Sequence, residues 1–234
     1  MEMDGELEML ENQPKMGTPE YDAWLTDIAR RHDSRHNRSD RMCGPVPMRY
    51  RGGLKTLGQI VRPDLIDRAE KWVEKFSTSD TAMTGFYISG DTGTGKTGLA
   101  MALALALADK GFLVECWTMT DLLLELRRSY AADAEYHEWD YVQALTNCHL
   151  LVLDDLGQEL IREHAAQTLY TVVNKRYNDC KPMIVTSNLS GKGLLAEAEK
   201  KGLSQDYRRV ISRFCEMLEG VKLTGSDRRK NAKD

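Results

Sequence analysis

Gly90-Asp91-Thr92-Gly93-Thr94-Gly95-Lys96-Thr97 fits the pattern G-x-x-x-x-G-K-[ST] at every specified position. Each residue type in it suits a polyphosphate. Glycines let the backbone turn tightly and bring its N–H groups against phosphate oxygens. Lys96 supplies a point charge for the β- and γ-phosphates, and the Thr97 hydroxyl can join a magnesium shell. A helix opening near Lys96 would aim the positive end of its dipole at the anion, with Gly98 in its first turn. Residues 90–98 are therefore the expected site for ATP and Mg²⁺. The flanks support this. The apolar Phe86-Tyr87-Ile88 reads as a strand, and Leu99 to Leu107 alternates leucine, alanine and methionine as a helix should.

A second group of residues could complete the chemistry. Leu150-Leu151-Val152-Leu153-Asp154-Asp155 is a wholly apolar run ending in two acids, the Walker B pattern. A buried strand would deliver both carboxylates at its C-terminal edge, where open α/β sheets bind ligands. Asp154 is expected to hold the magnesium shell and Asp155 to orient or polarise the attacking water. Beside a phosphate loop, a mere core strand running into an acidic turn is the weaker reading. Asn188 closes the run Thr186-Ser187-Asn188 at the tip of another apolar strand. It suits a group reaching the γ-phosphate and the water, and equally an ordinary cap or turn asparagine. Arg209 and Arg213 are four apart, on one face of a helix. Arginine donates in pairs and stays charged, so Arg213 could serve a neighbour's nucleotide or simply face solvent.

These residues need a frame, and the chain alternates strand and helix to give one. Pro63 can open a helix ending near Phe76. Strands are expected at 85–89, 112–117, 149–153 and 182–186, with a short last one at 221–223. Helices are expected to about 109, where Lys110-Gly111 stops the first, then at 121–130 behind a Thr120 or Asp121 cap, 135–145 and 163–177. Residues 194–218 should be helical with a break near Gly202. The alternation predicts a parallel sheet covered by helices on both faces, an α/β fold.

At 234 residues the chain can hold one such domain and a short extension. With 41% hydrophobic and 29% charged residues it reads as a soluble globular protein. It holds no apolar run of the roughly 18–20 residues that would cross a bilayer, and its acidic start lacks a signal peptide's basic region, so a cytoplasmic location and no membrane partner are expected. The five cysteines form no C-x-x-C pair, which argues against a disulfide framework. Cys116 and Cys148 read as small core residues. His32, His36 and Cys43 lack a fourth ligand at a standard spacing and read as part of a solvated segment. The net charge of −4 does not announce nucleic acid, but arginines cluster over 30–51 and basic residues return at Arg228, Arg229, Lys230 and Lys233. Such clusters suit phosphate or an ordinary solvated surface. Residues 1–44 form a polar leader, helical in part or disordered. Its Tyr21–Arg31 stretch could be a short amphipathic helix with Trp24, Leu25 and Ile28 on one face. Gly44-Pro45-Val46-Pro47 marks the boundary to the domain at 45–234.

Several segments together resemble the helicase-loader branch of the AAA+ ATPases, the DnaC/IstB-like group. Val46-Pro47-Met48-Arg49-Tyr50 resembles its P-x-R-Y opening, and Leu153-Asp154-Asp155-Leu156-Gly157 with Glu159 resembles its LDDLG-x-E. Leu169-Tyr170 through Asn174-Lys175-Arg176-Tyr177, then Lys181-Pro182 and Thr186-Ser187-Asn188-Leu189, resembles its LY, N-R-R-Y, K-P and T-S-N-L. Val210-Ile211-Ser212-Arg213-Phe214 resembles I-x-S-R-L, and Leu223 to Arg229 its closing G-x-D-x-R. The resemblance covers about residues 45–230. It implies the P-loop fold of that group, a three-layer α/β/α domain. It makes Asn188 sensor I, Arg213 the finger inserted at a neighbour's ATP, and Arg229 sensor II, with Arg228 as the alternative. It places single-stranded DNA on the helix after the second strand, through Arg127, Arg128 and Tyr130. Cations track a backbone and an aromatic stacks on a base, though on sequence alone Tyr130 reads rather as a helix-end core residue. The Asp154-Asp155 pair, where most AAA+ proteins have Asp-Glu, suits slow, switch-like hydrolysis.

The expectation is thus an ATP hydrolase that loads a replicative, DnaB-like helicase onto single-stranded DNA in bacterial or phage replication. It would self-associate through its ATP sites and bind the helicase through the leader. An ATPase helper of a transposase uses the same core. A small-molecule P-loop kinase would need an arginine-rich lid, and Asn188 and Arg213 speak against it. A nucleotide-dependent scaffold with negligible turnover is the remaining alternative.

Overall fold

The computed structural model describes residues 63–76, 84–131, 133–134, 136–157 and 163–225. The leader with its Trp24 segment, the Val46–Tyr50 opening, the His32, His36 and Cys43 group, Glu159, and the tail with Arg228 and Arg229 lie outside the described residues.

Strand and helix alternate as the sequence predicts. The order is α1 (Pro63–Lys75), β1 (Gly85–Gly90), α2 (Lys96–Asp109), β2 (Val114–Thr118), α3 (Met119–Arg128), α4 (Glu138–Asn147) and β3 (Leu150–Leu156). Then follow α5 (Glu163–Asn178), β4 (Met183–Ser187), α6 (Gly191–Lys200), α7 (Gln205–Met217) and β5 (Leu218–Leu223). All pairings are parallel, in the spatial order β2-β3-β4-β1-β5. Parallel neighbours require crossover connections, and the helices provide them. This topology decides where the chemistry sits. β4 lies between β1 and β3, so the loop after β1, the acids of β3 and the tip of β4 meet at one edge of the sheet.

Strand alternation splits the core into two layers of side chains. Phe86, Ile88, Leu150, Val152 and Ile184 face one side, with α1 and α2. Tyr87, Leu151, Leu153, Met183 and Val185 face the other, with α3 to α7. The fold is the expected three-layer α/β/α. Helix α2 is apolar around nearly its whole circumference because the sheet lies on one side of it and α1 on the other. Burying such strands and helices removes most of their apolar area from water, the main favourable term in folding.

Boundaries moved where tertiary contacts outweigh local pattern. Phe112 leaves β2 and stacks edge-on to Phe76, with ring centroids 4.9 Å apart. The cap of α3 is Thr118, not Thr120 or Asp121; its hydroxyl accepts the Asp121 N–H at 3.1 Å. Helix α4 starts at Glu138 rather than 135, where the Asp140 carboxylate accepts the His137 N–H at 2.8 Å. β5 starts at Leu218, straight from α7, and pairs with the whole of β1. Cys116 and Cys148 are buried, as expected.

Candidate functional site

The phosphate loop leaves β1 at Gly90, whose φ of 153° lies in the region that favours glycine. A Cβ there would stand 2.2 Å from the Leu223 carbonyl oxygen of β5. Gly95 caps α2 at φ 98°, so the loop rises over the helix N-terminus with the first N–H groups of α2 beneath it. Asp91 and Thr92 are exposed, Gly93 bends at φ 82°, and the Thr94 hydroxyl donates to the Asp91 carbonyl at 2.8 Å. Gly98 is buried in the first turn of α2.

Lys96 is buried, and its Nζ donates to the carbonyls of Gly90 and Asp91 (2.9 and 3.0 Å) and to Asn188 Oδ1 at 2.7 Å. The loop lysine and the β4 tip are thus in direct contact. Asn188 Nδ2 in turn lies 3.5 Å from Asp155 Oδ1. The sequence left Asn188 open between a site residue and a turn residue; its side chain lies between Lys96 and Asp155.

The two acids of β3 play different parts because the strand is bulged. Pairing with β4 shifts register between Leu153 and Leu156, and Asp155 has φ 60°. Consecutive residues of a regular strand point to opposite faces, whereas a bulge re-aims one of them. Asp154 consequently points inward, buried, and accepts the Thr97 hydroxyl at 3.0 Å. Asp155 is exposed at the crevice. Burial pushes the Asp154 carboxyl above the ordinary carboxylate range and the neighbouring Asp155 charge adds to this, against the pull of the Thr186 and Thr97 donors.

Thr186 stands in the sequence only as one residue of the Thr186-Ser187-Asn188 run, with no local sign of its role. It is fully buried. Its Oγ1 donates to Asp154 Oδ1 at 2.5 Å and accepts the Asp155 N–H at 2.9 Å. One hydroxyl therefore fixes the inward acid and the strained backbone of the outward one. Only the strand pairing reveals this, through the placement of Thr186 beside the bulge.

Arg213 lies on α7, away from these groups, against α5. Its Nε donates to Asn174 Oδ1 at 3.0 Å and its Nη2 to the Tyr170 hydroxyl at 3.3 Å. Arg127 and Arg128 are exposed in the last turn of α3, where Arg128 pairs with Glu125. Tyr130 is 45% exposed and stacks on His164 at 4.7 Å, so it is not a core residue. None of these three touches the phosphate loop.

The family model of IstB-like ATP-binding proteins matches residues 67–200, more than half of the chain. The chain belongs to that family. Its fold is of the AAA+ P-loop type. The replicative helicase loader DnaC of Escherichia coli K12 is 27% identical over 126 residues, 53% of this chain and 50% of that protein. The ATP-binding protein of an insertion sequence from Geobacillus stearothermophilus is 27% identical over 141 residues, 60% of this chain and 54% of that one. The chain thus spans about half the length of the curated relatives it matches. Among solved structures, a crystal structure of the DnaC helicase loader superposes with a TM-score of 0.62 at 24% identity, over 76% of this chain and all of that one. AMPPCP-bound DnaA from Aquifex aeolicus superposes at 0.61 and 21% identity, over 80% and 55%. These likenesses are of fold.

For an IstB-like domain the donor set is coherent. Lys96 and the α2 N-terminus suit a polyphosphate, and the Thr97 hydroxyl with the Asp154 carboxylate suits a hard cation such as Mg²⁺. Among the described residues no helix is long and apolar enough to cross a membrane.

Proposed function

We propose that the chain is an ATP-dependent loader of a replicative DNA helicase onto single-stranded DNA. The single observation that carries its ATPase half is the contact chain Lys96–Asn188–Asp155 beside Thr97–Asp154, which links the phosphate loop, the β4 tip and both acids. The loading half rests on the relatives that bear the name DnaC.

In this reading the loop amides and Lys96 bind the β- and γ-phosphates. Mg²⁺, held by Thr97 and Asp154, would neutralise developing charge on the phosphoryl oxygens. Asp155 orients the attacking water and takes its proton, and Asn188 fixes that water between Asp155 and the γ-phosphate. Asn188 therefore exchanges its contact with Lys96 for one to nucleotide. Arg213 completes the site of a neighbouring copy and Arg229 senses the nucleotide in its own. Self-association thereby depends on ATP. Arg127, Arg128 and Tyr130 contact single-stranded DNA, and the leader holds the helicase. The exposed, short Asp155 suits a slow switch.

A second reading, an ATPase helper of a transposase, is favoured by the insertion-sequence relative, whose match covers somewhat more of this chain. Capture experiments with the host's replicative helicase, with and without ATP, decide between them. ATP-dependent capture, together with turnover that rises on single-stranded DNA, is expected. Absence of capture in both conditions would remove the loader reading.

A further inference from the structure

Among the described residues, the guanidinium of Arg213 has a more elaborate setting than its neighbours on α7. Arg208 and Arg209 are exposed, and Arg209 pairs with Asp206 one turn away. Arg213 is half-buried and engaged on several sides by α5. Asn174 accepts from Nε, and the Tyr170 hydroxyl lies 3.3 Å from Nη2. Its Cζ stands 4.9 Å from the Tyr170 ring centroid and 5.6 Å from that of Tyr177. Tyr177 is itself tied to α7 by its hydroxyl, which donates to Glu216 at 3.0 Å.

Asn174, which accepts from Arg213 Nε, is neutral, and Glu216 on α7 accepts the Tyr177 hydroxyl. A carboxylate partner would quench the guanidinium's charge; an amide oxygen and two aromatic faces orient it and leave the charge available. A long side chain otherwise loses much of its rotamer freedom when it is fixed in a productive pose. Pre-organisation in the free protein removes much of that cost from the step where two copies meet.

We propose that Tyr170, Asn174 and Tyr177 are positioning residues for Arg213, holding its guanidinium ready to act on the ATP of a second copy of this chain. The inference rests on Arg213 being the finger and adds the device that aims it. The α5–α7 face is then the arginine-giving side of the assembly, and the phosphate-loop edge is the receiving side.

The test separates the two sides. Lys96→Ala copies can give the arginine and cannot use ATP; Arg213→Ala copies can use ATP and cannot give the arginine. Each alone is expected to be inactive, and their equimolar mixture should recover ATP turnover. Asn174→Ala is then placed on one copy or the other. On the arginine-giving copy it should lower the recovered turnover by about fivefold, the worth of one hydrogen bond. On the ATP-using copy, which lacks Arg213, it should leave turnover at the level of the parent mixture. Tyr170→Leu on the giving copy should act like Asn174→Ala, while Tyr170→Phe, which keeps the ring, should restore most of the activity. Any general weakening of α5 would act equally on either copy, and equal losses would overturn the proposal. Unchanged turnover with Asn174→Ala and Tyr170→Leu on the giving copy would also overturn it, leaving the finger intact. A parent mixture that fails to recover would refute the finger itself, and the cradle with it.

Discussion

Asp154, the proposed magnesium carboxylate, would hold its site at a cost to the fold. It is buried, and burial raises its carboxyl above the ordinary range. The unfolded chain releases that proton at lower pH than the folded one. Stability is therefore complete below the ordinary carboxylate range and is lost as pH rises through the folded value. Above the ordinary carboxylate range the nucleotide-free protein therefore carries a cost that the protonated form does not. Asp154→Asn removes the charge and keeps an acceptor for the Thr97 and Thr186 hydroxyls. It should raise the nucleotide-free Tm at pH 7 by about 2–4 °C, equivalent to about 1 kcal/mol in a domain of this size. The same variant should lose the extra Tm that ATP gives only when Mg²⁺ is present, because the cation loses its carboxylate. Calorimetry with and without ATP and Mg²⁺ reads both effects. A lowered nucleotide-free Tm would show that the charge is better compensated than its burial implies. Thr186 belongs to the same argument, since its hydroxyl holds both this acid and the strained Asp155.

The end of α4 is secured by groups from outside the helix. A helix leaves its last carbonyls without partners, and cations suit that end. Arg176, fully buried on α5, donates from Nη1 to the carbonyls of Leu145 and Cys148 at 2.9 Å each, and from Nη2 to that of Pro182 at 2.7 Å. Lys181 donates to the Thr146 carbonyl at 2.9 Å. Burial, and then the Arg176 charge, push the Lys181 amine down to about 8. The unfolded chain binds that proton up to about pH 10.4, so the folded state is disfavoured below about pH 8 and gains as pH rises between the two values. The stability of the natural protein relative to a Lys181→Met variant should thus climb by up to about 1.4 kcal/mol per pH unit above pH 8. Urea unfolding of both proteins at pH 7.5, 8.5 and 9.5 measures it, and a flat difference would show that the amine titrates normally. Such tertiary ties explain what the sequence hid. Strand β3 was legible because four consecutive apolar residues must be buried. The phosphate loop was legible because its spacing is local. Arg176 read only as part of a family run, since its partners lie about 30 positions away. The bulge at Asp155 depends on the pairing with β4, and the cap of α3 falls at Thr118 because α3 starts directly at the end of β2, with no loop between them.

At the scale of the whole molecule, the shared part of the chain cannot choose its partner. The family match covers 67–200, and relatives named for helicase loading and for an insertion sequence align with this chain at the same 27% identity. A core common to both carries the nucleotide chemistry, so discrimination must come from segments outside it. Residues 1–44 are such a segment. Among the described residues, the buried side chains of the two core layers lie between 69 and 223. Removing residues 1–43 should therefore leave ATP binding within about twofold of the full chain, a change of under 1 kcal/mol. Capture of the replicative helicase should fall by at least about tenfold, since a docking segment of even modest size contributes more than 1.4 kcal/mol. Fluorescent ATP-analogue titration and helicase pull-down, run on the same preparations, give the two readouts. Loss of both would mean that the leader supports the fold. Retained capture would move the helicase contact onto the AAA+ domain, where the exposed Trp139 and Leu124 of α4 and α3 would be the next surface to alter.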